Sequence, residues 1–161
     1  MKIKTLAMVL LVALWGSTGM QAQEKISRQD ILNGGDEWRE GYRNHRIDER
    51  LLAELRAKIP PNLVIEVYLA LWCHDSRVNL PKFIKIMDRL EDSRIQINYY
   101  SCRRKAGPEV RFYVENRQVT RIPTFIFYHQ DREVGRIVEN PRYTLIEDMI
   151  DLLSHHPPKT F

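Results

Sequence analysis

Apolar residues recur along this chain with two different periods, and the places where the period changes mark its elements. Ile47, Leu51, Leu52, Leu55 and Ile59 fall at helical spacing until Pro60-Pro61 stops the pattern, which predicts a helix over 47–59. The run Leu63-Val64-Ile65-Glu66-Val67-Tyr68-Leu69-Ala70-Leu71 is apolar at almost every position, as expected of a strand covered on both faces in a parallel sheet, and is predicted to be the central strand. Leu80, Phe83, Ile84 and Met87 stand at i, i+3, i+4 and i+7, one stripe of an amphipathic helix ending near Leu90. Pro81 lies inside that stripe, where it removes one backbone hydrogen bond and favours a kink. Ile95, Ile97 and Tyr99 alternate as a second strand, and Gly107-Pro108 opens a short helical stretch through Val110 and Tyr113. Ile122-Pro123 leads into a strand over 124–128, and Gln130-Asp131-Arg132 turns the chain into an antiparallel partner over 133–138. Thr144 and Glu147, at capping-box spacing, head a closing helix that carries Leu145, Met149, Leu152 and Leu153. Val64, Phe83, Ile84, Ile97, Phe125, Phe127 and Leu152 are the expected core.

The two ends break this pattern. Lys2 and Lys4 precede an apolar run over 6–15 and then small and polar residues, the three-part form of an export signal, with cleavage after Ala22 or Gly19. The run is well short of the roughly 20 apolar residues that span a bilayer. Residues 1–22 therefore read as a signal peptide and the mature protein as soluble, periplasmic or secreted, with no stable membrane insertion. Residues 23–46 are polar, with Ser27 and Asp30 at capping-box spacing and a break at Asn33-Gly34-Gly35, and read as a loosely packed N-terminal arm. The folded domain is expected over 47–154, and 155–161, with His155-His156-Pro157-Pro158, as a disordered tail.

Length and charge narrow the function classes. A chain of 161 residues holds one domain with its own core and is short for two. Its formal charge of +4 includes Lys2 and Lys4, so the mature part is only mildly basic and gives no reason to expect nucleic acid. Both cysteines, Cys73 and Cys102, fall in the mature part, and an exported protein meets an oxidising compartment in which thiols are paired or used.

Cys73 sits where the central strand passes into the next helix. Unpaired N–H groups and the positive end of the helix dipole there favour the thiolate, the nucleophilic form. His74, Arg77 and Arg121 add favourable charge and Asp75 opposes it. Ser76, three residues on, either donates a hydrogen bond to the thiolate or serves simply as a helix-start residue. Cys102 follows the second strand and so shares with Cys73 the carboxyl edge of the sheet, where open α/β sheets place their ligands. It is either a partner thiol, which requires Cα atoms within about 7 Å, or a small buried residue at a strand end. Cys73-His74 lacks convincing third and fourth ligands, so no metal or cofactor is expected. Arg103-Arg104-Lys105 reads as a solvated basic loop.

Three features in this order, Trp72-Cys73-x-x-Ser76 after the buried strand, Pro81 in the following helix and Arg121-Ile122-Pro123-Thr124 before the hairpin, resemble the thioredoxin superfamily. The resemblance covers roughly 63–153 and is closest to exported bacterial thioredoxin-like proteins. It implies an α/β thioredoxin-like fold, a mixed central sheet with helices on both faces, and a cis peptide bond at Pro123. Ser76 occupies the place of the family's second cysteine, so no disulfide can form within the motif, and Val67 stands where thioredoxins carry a buried acid. The implied function is thiol-disulfide exchange through a nucleophilic Cys73, an oxidoreductase of single-thiol type unless Cys102 resolves the mixed disulfide. Ser76 and Cys102 would assist Cys73, with Trp72, His74, Ile122 and Pro123 against a substrate drawn from protein thiols and disulfides or small-molecule thiols. The alternative is a redox-inactive thioredoxin-fold module that holds an extended peptide beside Pro123 by backbone pairing.

Overall fold

The computed structural model describes residues 24–102 and 117–155. Its elements run β1 (Glu24–Lys25), α1 (Arg28–Leu32), α2 (Asp36–Asn44), α3 (Glu49–Lys58), β2 (Leu63–Leu69), α4 (His74–Leu90), β3 (Ile95–Ser101), β4 (Thr124–His129), β5 (Arg132–Val138) and α5 (Leu145–Ser154). The strands form one mixed sheet in the order β1-β3-β2-β4-β5. β2 lies at its centre, parallel to β3 and antiparallel to β4, as the continuous apolar run anticipates. A parallel neighbour needs a crossover, and α4 supplies it.

The strand pleat divides the side chains between two faces. Ile65, Val67 and Leu69 of β2 join Phe125 and Phe127 of β4 in the main core cluster, to which α1, α2, α3, α4 and α5 all contribute buried residues. Tyr68, Ala70 and Ile126 point to the other face and form a second cluster with Cys102, Val119 and Ile122. Among the described residues, every helix packs on the first face. The helical stretch expected after Gly107-Pro108 lies outside the described residues, as do the export signal and the basic run Arg103-Arg104-Lys105.

Local chemistry explains the element ends. Asp48 caps α3 by accepting the Arg50 and Leu51 N–H groups, and Thr144 caps α5 by accepting that of Glu147. Gln130 and Asp131 both take positive φ, 51° and 59°, giving the two-residue turn whose twist matches an antiparallel hairpin. Pro81 sits within α4, and the helix continues through it to Leu90. Gly41 of α2 packs against this proline so closely that a Cβ would come within 3.2 Å of the ring.

Two expectations need correction. The loosely packed arm is instead a folded part of the core: the Ser27 and Asp30 capping box closes around α1, and Ile31, Leu32 and Trp38 are buried. The reason is that Trp38 and Tyr42 stand at i and i+4 on α2, a narrow apolar stripe within a polar segment, and α2 packs along α4, while Ile31 and Leu32 bury the end of α1. Of the expected core, Phe83, Ile84, Phe125 and Phe127 are buried, whereas Val64, Ile97 and Leu152 are only half-buried. Val64 shares the second sheet face with Glu66 and Tyr68, and in α5 it is Leu153, one position on, that turns inward.

Candidate functional site

The site is built where β2 ends. The Cys73 N–H donates to the Ala70 carbonyl at 3.0 Å, closing a tight turn, and the Arg77 N–H donates to the Cys73 carbonyl at 3.1 Å, opening α4. Cys73 is thus the N-cap of a 17-residue helix, in extended conformation (φ −82°, ψ 128°). Its side chain makes no capping hydrogen bond to the first turn of α4, the end of the helix that carries the positive pole of the dipole. Cys73 is half-buried, while Leu71, Trp72 and Val78 around it are 38%, 46% and 37% exposed, an apolar rim to the thiol.

The opposite wall is the segment before β4. The Cys73 thiol donates to the Ile122 carbonyl at 3.5 Å, and the Ile122-Pro123 bond that follows is cis. This wall is held at both ends: Thr124 Oγ1 donates to the Arg121 carbonyl at 2.7 Å, and the Glu139 N–H donates to the Pro123 carbonyl at 2.7 Å. Arg121 pairs with Glu139 at 3.0 Å, and the buried Asn79 Nδ2 donates to the Glu139 carbonyl and to Asn140 Oδ1 at 3.0 and 2.9 Å. Two segments far apart in sequence thereby face each other across the thiol.

Each residue singled out from the sequence has a definite place. Cys73, Ile122 and Pro123 come together. Trp72 lies on the exposed rim and His74, the first residue of α4, is exposed. Ser76 is fully buried, and its Oγ accepts the Ala70 N–H at 3.3 Å, fastening the turn from beneath. Its observed partner is the backbone of the turn, a contact that neither of its two expected roles included. Two of the cations expected near the thiolate have carboxylate partners: Arg77 pairs with Glu37 of α2 at 2.5 Å, and Arg121 with Glu139.

Cys102 is buried in the second-face cluster with Ile122, and Cys73 packs against that same cluster. Both cysteines are free thiols. The Cys102 N–H donates to the Leu69 carbonyl at 2.7 Å, and burial pushes its thiol up to about 11, so it stays protonated at neutral pH.

Beneath the site, on the sheet face opposite Val67, lies a polar group centred on Glu66. Glu66, 8% exposed, accepts two hydrogen bonds from Arg117 at 2.7 and 2.9 Å and one from the Tyr68 hydroxyl at 2.9 Å. The Arg117 guanidinium lies 5.2 Å from the centre of the Tyr128 ring, and Tyr68 stacks on Tyr100 at 5.1 Å. Burial, then the Glu66 hydrogen bond, raises the Tyr68 hydroxyl above its ordinary range. A glutamate inside an otherwise apolar strand was itself the signal, because a buried carboxylate demands a hydrogen-bonded partner. Sequence alone could not say that the partner is Arg117.

A helix-capping cysteine facing the residue before a cis-proline, on a mixed sheet of this order, defines a thioredoxin-fold protein, here with serine in place of the second motif cysteine. The profile of the family described as Thioredoxin matches residues 19–151, and the chain belongs to that family. Among curated proteins none matches the sequence. A Pseudomonas aeruginosa protein of unknown function, PA1234, superposes with a TM-score of 0.52 at 18% identity, over 80% of this chain and 84% of that one. An HIV epitope-scaffold superposes with a TM-score of 0.56 at 17% identity, over 82% and 91% of the two chains. At these identities the likeness is one of fold. No helix among the described residues is long and apolar enough to cross a membrane.

Proposed function

We propose that the protein is a single-thiol thiol-disulfide exchange protein whose nucleophile is Cys73. The observation that carries this reading is the position of its thiol: half-buried, at the N-cap of α4, 3.5 Å from the Ile122 carbonyl beside Pro123. The Cys73 thiolate attacks one sulfur of a substrate disulfide, a new bond forms between the two sulfurs, and the other substrate sulfur leaves as a thiolate. An external thiolate then attacks the mixed disulfide at the substrate sulfur, releasing Cys73 and leaving a disulfide between that sulfur and the incoming one. Bonds and electrons balance with no other oxidant or reductant.

The burial of Cys102, with its thiol held protonated, favours an external resolving thiol over Cys102. The export signal read in residues 1–22 fits this chemistry, since disulfide substrates accumulate in oxidising compartments. A peptide glutathionylated on its cysteine, with glutathione as external thiol, provides the test. Wild-type and Cys102→Ser proteins are expected to speed deglutathionylation alike, and Cys73→Ser to reduce the rate to background. Background rates in all three would favour a redox-inactive module that holds an extended peptide beside Pro123 by backbone pairing.

A further inference from the structure

Away from the thiol, a cavity of about 230 Å³ opens between the α2–α3 connection, the middle of α4 and the loop leading into α5. Its floor is apolar: Ile86 of α4 and Ile146 of α5 are buried there, and Leu51 of α3 is half-buried. Its rim carries His45, Arg46 and Lys82. The one acid lining it is Asp48, whose carboxylate is turned to the start of α3 and accepts the Arg50 and Leu51 N–H groups at 2.9 and 3.2 Å. Neither Arg46 nor Lys82 has an acidic partner among the described residues.

The other surface arginines of the fold are mostly matched to carboxylates, as Arg77 is to Glu37 and Arg89 to Glu49. At the cavity mouth Arg46 and Lys82 stand on the rim together with His45. Burial first, then Lys82 and Lys85, lower the His45 imidazole below its ordinary value, so the fixed positive charge at the rim is that of Arg46 and Lys82. A positive rim over an apolar floor suits a ligand with a negative head and a hydrocarbon body. The volume lies below the roughly 300–1,000 Å³ of sites for drug-sized molecules, so the ligand is small. An inorganic anion would leave the floor at Ile86 and Ile146 unfilled.

We propose that this cavity binds a small amphiphilic carboxylate, its chain on Leu51, Ile86 and Ile146 and its head between Lys82 and His45. The site is separate from the thiol and does not depend on how Cys73 reacts.

Calorimetric titration of the native protein with octanoate, and in parallel with octanol and with inorganic phosphate, tests this. Octanoate is expected to bind saturably at one site, at least about tenfold more tightly than either control. Lys82→Gln should weaken octanoate about tenfold without changing octanol, and Leu51→Trp should remove octanoate binding by filling the cavity. Lys82 is partly exposed, so its variant keeps the test decisive if Leu51→Trp fails to fold. Equal binding of octanoate and octanol, no saturable binding up to about 10 mM, or wild-type affinity in Lys82→Gln overturns the proposal.

Discussion

On one face of the sheet Ile65, Val67, Phe125 and Phe127 meet five helices in a continuous apolar core, while on the other Glu66, Tyr68, Tyr100 and Tyr128 surround the Arg117 guanidinium. Alternate residues of the same strands make both environments. The first face is held by removal of apolar area from water, which is indifferent to direction. The second is held by hydrogen bonds and ring contacts that tolerate little displacement, and its apolar part ends in the cluster shared by Cys102, Ile122 and Cys73. The difference separates where stability resides from where the thiol is positioned.

Substitutions on the first face should have the largest effects on stability. Phe125→Ala removes a fully buried ring packed 4.9 Å from Phe83 and is expected to lower unfolding free energy by about 3–5 kcal/mol in urea titrations. Trp38→Ala should approach that loss, and an effect below about 0.5 kcal/mol would return the N-terminal segment to the status of a loose arm. On the second face, Glu66→Ala strands a cation whose side chain is 42% exposed. Solvent softens the penalty, so about 1–2 kcal/mol is expected, smaller than for Phe125→Ala. A cost equal to that of Phe125→Ala would remove the contrast between the faces.

How much of this was legible beforehand follows from the same contrast. Helix and strand periods placed α3, β2, α4, β3, the hairpin and α5, because one-sided burial writes itself into spacing. The motif residues placed the turn, the proline wall and the fold. What stayed hidden were features that depend on residues far apart in sequence. Glu66 finds Arg117 51 positions away, and Arg77 finds Glu37 40 positions away. α2 was missed because Asp36–Asn44 shows one buried side chain, Trp38, among eight mostly charged or polar neighbours.

A separate effect should appear in alkaline solution. The Cys102 thiol, at about 11 in the folded protein against 9.0 for an unburied one, binds its proton more tightly when folded. Its contribution to stability is full below about pH 9 and is lost as pH rises through about 11. The thermal midpoint should therefore fall over that window, and Cys102→Ala should flatten the decline. An unchanged slope in the variant would place the thiol in a more solvated environment than the buried cluster indicates.

The most direct test of the central claim is a short pulse of iodoacetamide on the folded, reduced protein at neutral pH, followed by unfolding, a second label and peptide mass analysis. Cys73, half-buried at a helix start, should carry the first label, and Cys102, buried and protonated, the second. First label on Cys102, or on neither cysteine, would contradict the assignment of Cys73 as the reactive thiol.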